Sequence, residues 1–271
     1  MRISTMTFTF TATQFPVSAE RIPETAARCG VEGLNWVGTN GLSPTRARHL
    51  TLDAGLAVSC YTICPLTVWH GTDKQASFDE IRRELDTAAA IEAPIIMIVP
   101  FPPNDGDDRE AGRRYWFDML RKVSPLAEQA GIIMTIEDFE GVKSPFVTAA
   151  ELLCARENVP GLQITFDVGN AAMGENPVET CSKLAGGIAY VHLQDLTICK
   201  QETPGSILGL DGRRYAKAVL GEGQLDLPGV LKELKRQNYL GFMDIEYANG
   251  ELAPEDAVTR SVRYLKKQCA S

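Results

Sequence analysis

Four titratable side chains each stand at the end of a short apolar run of the sequence. They are Glu137 in TIEDFEG, Asp167 in TFDVGN, His192 in YVHLQDL and Glu246 in MDIEYANG. Three carboxylates that converge on one point repel one another strongly unless a cation lies between them. One imidazole together with three carboxylates suits a divalent ion of intermediate hardness, namely Mn, Mg, Co or Zn. These residue types therefore predict a site for one divalent metal ion, provided that the fold brings them together.

The elements that must position these side chains follow a regular alternation along the chain. Eight strands are predicted from β-branched or apolar runs, at 2–10, 31–37, 57–63, 94–100, 132–138, 162–167, 188–194 and 241–247. Eight helices are predicted from amphipathic stretches, at 18–29, 43–54, 77–92, 107–129, 146–156, 173–185, 228–236 and 254–268. This alternation predicts an α/β fold, a (β/α)8 TIM barrel that forms a single domain over residues 1–271.

The ends of the predicted strands decide whether the four side chains can meet. Active sites of such barrels lie at the C-terminal ends of the strands, and the four residues end the fifth to the eighth predicted strands. Any one of them alone would be an ordinary surface or capping group. An open, doubly wound sheet is the alternative fold, but it usually has a glycine-rich turn after its first strand. The first strand here runs into TFTATQFP, which has no glycine, so the barrel is favoured.

Period-two alternation along the strands predicts a second polar layer beneath the four candidate ligands. If the ligands face inward, the residues two positions earlier lie one layer deeper: Thr135, Thr165, Tyr190 and Asp244. Threonine and tyrosine hydroxyls at that depth would orient metal ligands. Asp244 fits this layer less well, because a buried carboxylate needs a partner.

Composition and charge narrow the classes of partner. The chain has 271 residues and a net charge of −8, which disfavours contacts with nucleic-acid phosphates. Its first residues form no secretory signal, and no apolar run reaches the roughly 18 to 20 residues of a membrane span. The cysteines show no zinc or redox spacing, and Cys60 and Cys64 are expected to be buried thiols. We therefore expect a cytoplasmic protein with a small-molecule partner and neither nucleic acid nor membrane; a homo-oligomer is compatible with this.

One connection is unusually long. Residues 195–227 separate the seventh predicted strand from the helix before the eighth, and long loops in compact domains are often functional. Arg213 and Arg214, with Lys217 close by, could bind a hydroxyl, carboxylate or phosphate there, or form a solvated charged turn. Four further side chains are candidates for the pocket wall, with core packing or a lid as the alternative: Trp36, Trp69, His70 and Phe101.

Several of these motifs together resemble a known family. They are IE on the fifth strand, D-x-G-N on the sixth, H-x-x-D on the seventh, and GEGQLDLPGVLKELKRQNYLGFMDIE through the eighth. The pattern is similar to the sugar phosphate isomerase/epimerase superfamily of xylose isomerase-like TIM barrels, and its diagnostic part is residues 131–247. The resemblance implies metal ligation by the four residues named first, with Glu137 and Glu246 facing the substrate from opposite sides.

The resemblance also implies an activity. It suggests isomerisation or epimerisation of a ketose or related polyol through an enediolate, with Glu137 and Glu246 as acid and base. Asn170, Gln194 and Arg213 are the candidate substrate-binding residues. Epimerases and inosose dehydratases of the family usually have His at the position of Asn170, and dehydratase-like members often have Lys at that of Gln194, so the substrate is expected to differ.

Three other functions stay open on the sequence. A metal-dependent dehydratase of a cyclic keto-polyol, inosose-like or dehydroshikimate-like, would use the same metal ring. Abasic-site cleavage, as in endonuclease IV of the same fold, needs several zinc ions and many histidines, whereas this chain has three histidines and an acidic balance. A sugar-binding barrel that keeps its metal without turnover is the non-enzymatic alternative.

Overall fold

Eight parallel strands close into a barrel in the computed structural model, which describes residues 1–71, 73–103, 108–248 and 252–270. The barrel strands are β1 (Arg2–Met6), β2 (Gly33–Val37), β3 (Ala57–Ile63), β4 (Ile95–Ile98), β5 (Ile133–Glu137), β6 (Gln163–Asp167), β7 (Ile188–Leu193) and β11 (Phe242–Ile245). Their order around the barrel is β1-β11-β7-β6-β5-β4-β3-β2, so each strand pairs with its neighbours along the chain and the last closes on the first. The predicted (β/α)8 barrel is confirmed.

Helices follow the strands and surround the barrel. They are α1 (Phe8–Thr11), α2 (Ile22–Arg28), α3 (Pro44–Asp53), α4 (Leu66–Trp69), α5 (Lys74–Ala90), α6 (Arg109–Gln129), α7 (Ala149–Asn158), α8 (Val168–Ala172), α9 (Pro177–Lys183), α10 (Leu227–Arg236) and α11 (Pro254–Ala270). Side-chain caps fix several starts: the Asp73 carboxylate accepts from the first turn of α5, and Thr148 and Glu151 form a capping box on α7. In the described part of the chain, no helix is long and apolar enough to cross a membrane.

The core lies mainly between the barrel and its helices. Outward-facing strand residues such as Leu34, Ile136 and Phe166 are fully buried there. Trp36 belongs to this outer core, because its Nε1 donates to Thr51 Oγ1 of α3 at 3.0 Å. Trp36 is therefore a packing residue and not part of a pocket.

The first strand is shorter than predicted. The sequence predicts a strand over 2–10, but β1 ends at Met6, and Phe8–Thr11 forms the short helix α1. The alternation of Thr and Phe favours an extended chain locally. Past the barrel rim, however, only Thr7 N still pairs with a neighbouring strand, donating to Asn35 O at 2.8 Å, and Phe10 N then bonds back to Thr7 O. The tertiary context overrides the local preference.

Residues 195–227 are not a long loop. They contain a small antiparallel sheet of β8 (Asp195–Cys199), β9 (Ile207–Leu208) and β10 (Arg214–Ala218), in the order β8-β10-β9. β8 starts two residues after β7 ends, and its first residue pairs with Ala218 at the end of β10. The small sheet therefore projects from the C-terminal end of the barrel and returns to it.

The H-x-x-D and G-x-G motifs form the base of this small sheet. The Asp195 carboxylate accepts hydrogen bonds from the backbone N–H groups of Gly221, Gly223 and Leu225 at 3.0–3.2 Å. A Cβ at Gly223 would lie 2.2 Å from Asp195 Oδ1, so the turn can approach this carboxylate only as glycine. Asp195 thus positions the chain between β10 and α10.

The cysteine prediction is confirmed for one residue and corrected for the other. All the cysteines are free thiols. Cys60 is fully buried inside the barrel, in a small apolar cluster with Met97, Val99 and Tyr190. Cys64 follows β3 by one residue and is only half-buried, because it reaches the mouth of the barrel.

Candidate functional site

The four candidate ligands lie at the C-terminal ends of adjacent barrel strands. Glu137 is the last residue of β5, Asp167 the last of β6, and His192 lies one residue before the end of β7. Glu246 directly follows β11, and its backbone N–H donates to Leu193 O at 3.1 Å. Asp167 and His192 are direct neighbours in the register of β6 and β7. The sheet therefore places all four at one end of the barrel.

Their side chains converge on one nitrogen atom. His192 Nδ1 lies 3.2 Å from Glu137 Oε2, 3.6 Å from Glu246 Oε2 and 3.8 Å from Asp167 Oδ2. Ligand atoms of Glu137, Asp167 and His192 all lie within 4.8 Å of one another. His192 and Asp167 are fully buried, whereas the Glu246 side chain is 16% exposed. We call these four residues the metal ring.

The unpartnered atoms of the ring fit a cation. In the described part of the chain, neither Nδ1 nor Nε2 of the buried His192 has a hydrogen-bond partner, although Nδ1 is within ion-pair distance of three carboxylates. Buried polar atoms without partners are rare, because each costs about 1–3 kcal/mol of stability. A neutral imidazole nitrogen and carboxylate oxygens are ligands of Mn, Mg, Co and Zn alike. The residues present therefore fit one divalent ion.

The electrostatics of the ring show an excess of negative charge. Burial raises the pKa of Glu246 to about 8, with the charge of Asp167 adding to the effect, against the opposing charges of Lys217 and His192. Burial also raises the pKa values of Glu137 and Asp167. For His192, burial alone would lower the pKa, but the contact and charge of Glu137, then Glu246, raise it to about 10. Without a cation, the ring compensates by holding protons.

The predicted polar layer is present beneath the ring. Thr135, Thr165, Tyr190 and Asp244 are all fully buried. The hydroxyl groups of Thr135 and Thr165 share a hydrogen bond of 2.7 Å. Tyr190 Oη lies 3.0 Å from Ser4 Oγ and 2.8 Å from Ser59 Oγ. We call this set, with its hydrogen-bond partners, the lower layer.

Asp244 has the partners that the sequence did not reveal. Ser4 Oγ donates to Asp244 Oδ1 at 2.5 Å, and Asn35 Nδ2 donates to Oδ2 at 3.0 Å. Thr62 Oγ1 in turn donates to Asn35 Oδ1 at 3.0 Å, which fixes the amide. Asp244 Oδ2 also lies 3.9 Å from His192 Nε2 and is the carboxylate that faces this nitrogen. At this distance the two atoms make no hydrogen bond, so Asp244 acts on His192 through its charge, which contributes to the raised pKa of the imidazole.

A cavity of about 380 Å³ opens above the ring. Its polar lining includes Glu137, His192, Glu246, Asn170, Gln194 and Lys217. Its apolar lining includes Met6, Phe8, Met97, Val99, Phe101 and Phe139. Phe101 packs edge-on against both Phe139 and Trp69, and Trp69 is itself 51% exposed at the rim. Of the predicted wall residues, Phe101 therefore lines the cavity, Trp69 supports it, and His70 is exposed outside it.

Two of the three predicted substrate-binding residues lie in the cavity. Asn170 Nδ2 donates to Asp138 O at 3.0 Å, which leaves the buried Asn170 Oδ1 without a partner among the described residues. Gln194 Nε2 donates to Asp167 Oδ2 at 2.6 Å. A Cβ at Gly169 would lie 2.7 Å from the Gln194 Cβ, so the glycine of D-x-G-N makes room for this side chain.

The structure does not bring the third residue, Arg213, to the site. Its Nε lies 2.6 Å from Asp211 Oδ2, its side chain is 57% exposed, and it does not line the cavity. Arg213 precedes β10, whose first residue pairs with Cys199, four residues along β8 from the barrel. The arginine is therefore at the far end of the small sheet, where Asp211 holds it.

Lys217 takes the place that was predicted for Arg213. Its Nζ lies 2.9 Å from Glu140 Oε2, donates to Gln194 Oε1, and belongs to a side chain only 13% exposed. Burial alone would lower the pKa of Lys217, but Glu140, Glu246 and Asp167 raise it to about 12, so it is a cation. The sequence placed Lys217 only near the arginines, since the hairpin that returns it to the barrel was not predicted.

Asp138 is a further buried acid that sequence reasoning missed. It follows Glu137, is fully buried, and its Oδ1 accepts from the backbone N–H of Asp167 at 2.9 Å. Burial, with the charge of Asp167, raises its pKa well above the usual range. The second acid of the TIED motif was the available signal, and its contact with Asp167 helps to position a ring residue.

Known proteins with similar sequences cover different shares of the chain. An inosose dehydratase of Clostridium botulinum is 29% identical over 133 residues, which are 47% of this chain and 44% of that enzyme. A 2-oxo-tetronate isomerase of Pectobacterium atrosepticum is 24% identical over 70% of this chain and 69% of that enzyme. The chain spans less than half the length of the first curated relatives that it matches.

The same fold is found over the full chain. The IolI protein, solved with a bound zinc atom, has a TM-score of 0.80 at 15% identity, covering 99% of this chain and 98% of that one. At this identity the likeness shows the fold alone. Residues 8–268 match the xylose isomerase-like TIM barrel family. With the closed barrel and this match over nearly its whole length, the chain belongs to the xylose isomerase-like TIM barrel family.

Proposed function

We propose that the protein is a divalent-metal-dependent sugar isomerase or epimerase that acts on a ketose or related polyol. The observation that carries the proposal is the placement of two glutamates. Glu137 and Glu246 both line the cavity and both reach His192 Nδ1, at 3.2 and 3.6 Å. They come from β5 and the end of β11, which two other strands separate in the barrel. They therefore approach a ligand in the cavity from different sides.

Each glutamate then has a chemical role in this proposal. One removes a proton from the carbon beside the ketone, which gives an enediolate, and the other returns a proton to the opposite face or to the neighbouring carbon. Burial raises the pKa of Glu246 in the metal-free ring, whereas a bound divalent ion would lower it again, so the position of each carboxylate against the C–H bond has to carry the proton transfer. A divalent ion in the ring would supply positive charge to offset the negative charge that develops on the substrate oxygens.

The other residues of the site bind and orient. Asn170 Oδ1 is buried without a protein partner among the described residues, so it is available to a substrate hydroxyl. Gln194 is held between Lys217 and Asp167, which fixes the direction of its amide. The 2-oxo-tetronate isomerase relative, which matches 70% of the chain, supports an isomerase on this scaffold.

A dehydratase is the second candidate, because inosose dehydratases are among the curated relatives. Elimination of water beside a ketone begins with the same proton removal and differs only in the group that leaves. Gln194 stands where dehydratase-like members have lysine, which argues against a dehydratase. However, Lys217 Nζ donates to Gln194 Oε1 and so brings an ammonium group close to the position of that lysine.

A panel of ketoses and inososes in deuterated water tests the proposal, with Mn, Mg, Co or Zn added to metal-stripped protein. We expect deuterium uptake at a carbon next to the carbonyl, without any other change of mass, and no uptake in the presence of a chelator. Loss of one water from a substrate would assign the dehydratase instead. Stoichiometric metal without label uptake into any compound would contradict an enzymatic role.

A further inference from the structure

The cavity above the ring is divided into two unlike halves. Seven apolar or weakly polar side chains line it from the first four barrel strands and the segments that follow them: Met6, Phe8, Val37, Cys64, Met97, Val99 and Phe101. The charged groups, Glu137, Glu140, Lys217 and Glu246, all come from the other half, which also contributes the apolar Phe139 and Ile207. The polar residue of the first half is Thr62, and its hydroxyl is already donated to Asn35.

We propose that the substrate is an uncharged keto-polyol with an apolar terminus, such as a terminally deoxygenated ketose, and that phosphate esters are excluded. This inference rests on the proposed function. The carbonyl and its neighbouring hydroxyl meet the ring, and Asn170 and Gln194 offer hydrogen bonds on the same side. The remote end of the molecule then lies against the apolar half, where a methyl group is favoured and a hydroxyl would lose its hydrogen bonds to water.

The side chains that line the cavity offer little positive charge to a phosphate. Among the residues the structure describes, Lys217 is the lysine or arginine that lines the cavity, and Glu140 Oε2 at 2.9 Å already balances its charge. The residues outside the described ranges are Thr72, 104–107, 249–251 and Ser271, and their sequence contains no lysine or arginine. Every lysine and arginine of the chain therefore lies in the part that the structure describes.

The two arginines of the small sheet are bound elsewhere. Arg213 Nε lies 2.6 Å from Asp211, and Arg214 pairs with Glu202 at 2.9 Å. Phosphates are usually bound by arginines or lysines through charge-assisted hydrogen bonds. The ring contributes three carboxylates against one divalent ion, so an added phosphate would enter a cavity that is already negative.

Binding to the Mn²⁺-loaded protein by isothermal titration calorimetry tests this inference independently of turnover. The probes are D-psicose, its 6-deoxy analogue, its 6-carboxylate analogue and its 6-phosphate. We expect the deoxy analogue to bind at least as tightly as the parent ketose, and both anions to bind at least about tenfold more weakly. The inference would be overturned if either anion bound most tightly or if the deoxy analogue bound about tenfold more weakly than the parent. It would also be overturned if none of the four compounds bound.

A charge introduced into the wall gives a second test with a matched control. Phe8, which follows β1, lines the cavity and is 39% exposed, whereas Phe15 does not line it and is 52% exposed. Phe8→Lys should raise the affinity for the phosphate ester relative to the parent by about tenfold, and Phe15→Lys should leave the ratio unchanged. Equal ratios in the two variants would count against the inference. If the binding order holds but no probe takes up deuterium, the proposed function fails and the inference about binding stands.

Discussion

The metal ring and the lower layer both bury carboxylates inside the barrel, but only one of them is satisfied by the protein. In the lower layer, both oxygens of Asp244 accept hydrogen bonds, from Ser4 and Asn35. In the ring, three carboxylates face a single imidazole whose two nitrogens have no hydrogen-bond partner among the described residues. The lower layer is complete as folded, whereas the ring has an excess of negative charge that a bound cation would balance.

The two neighbouring layers are therefore expected to contribute differently to the stability and to the activity of the protein. A buried carboxylate whose hydrogen bonds are all made is tolerated by the fold, and removing one of its partners is costly. A cluster of like charges without a cation destabilises the fold, and its removal costs function alone. Substitutions in the ring should therefore abolish activity without unfolding the protein. Substitutions that remove hydrogen-bond partners from the lower layer should mainly lower the free energy of unfolding.

The largest expected effect is that of Glu246→Gln. The amide keeps the shape of the side chain but cannot exchange a proton, so turnover should fall by about 10²–10⁴-fold while substrate still binds. At pH 9 with a chelator, the variant should be at least as stable as the natural protein, because a buried charge has been removed. Label exchange and chemical denaturation measure the two effects; near-natural turnover would contradict the role of Glu246.

Asp244→Ala is the matching change in the lower layer. Ser4 Oγ and Asn35 Nδ2 would lose their acceptor in a fully buried site, so the free energy of unfolding should fall by about 1–3 kcal/mol. Asp244→Asn preserves the shape and can keep part of the hydrogen bonding, so it should lower the free energy of unfolding less than the alanine variant. A loss below about 1 kcal/mol for the alanine variant would show that the lower layer is not structural.

The pH dependence of stability distinguishes metal-free from metal-loaded protein. The pKa of Glu246 is raised from 4.5 to about 8, and that of His192 from 6.5 to about 10. Both groups bind protons more tightly when folded, so their contribution to stability is full below pH 4.5 and 6.5 and is lost as the pH rises through 8 and 10. The melting temperature in chelator should therefore fall between pH 6 and 9. Over the same range, the increase in melting temperature on addition of Mn²⁺ should become larger, because the ion competes with those protons. An increase that shrinks with rising pH would contradict this account.

The smallest effects compare two cations of the small sheet. Lys217→Met would leave Glu140 without its ion pair and release Gln194, so kcat/KM should fall by about tenfold. Arg213→Ala should leave both kcat/KM and the free energy of unfolding unchanged, because the arginine is exposed and pairs only with Asp211 among the described residues. Equal losses in the two variants would place Arg213 at the site after all.

The sequence predicted the ring better than it predicted what surrounds it. Glu137, Asp167, His192 and Glu246 could be found because each ends a strand, and the ends of parallel strands meet in a closed barrel. Period-two alternation also predicted Tyr190 and Asp244 at the correct depth. These predictions depend on local patterns that a single strand carries.

The remainder depends on contacts between distant segments. Ser4 and Asn35 bind Asp244 across more than 200 residues of sequence, and no local pattern connects them. Lys217 reaches the site only because β8 and β10 pair as a hairpin, a structure that the long polar connection did not reveal. The same hairpin carries Arg213 away from the site.

The central claim is that four side chains share one cation, and anomalous diffraction from crystals grown with Mn²⁺ tests it most directly. The account predicts one manganese peak per chain, within coordination distance of His192 Nδ1 and of the carboxylates of Glu137, Asp167 and Glu246. A peak elsewhere on the chain, or no peak at all in crystals soaked at saturating Mn²⁺, would contradict it.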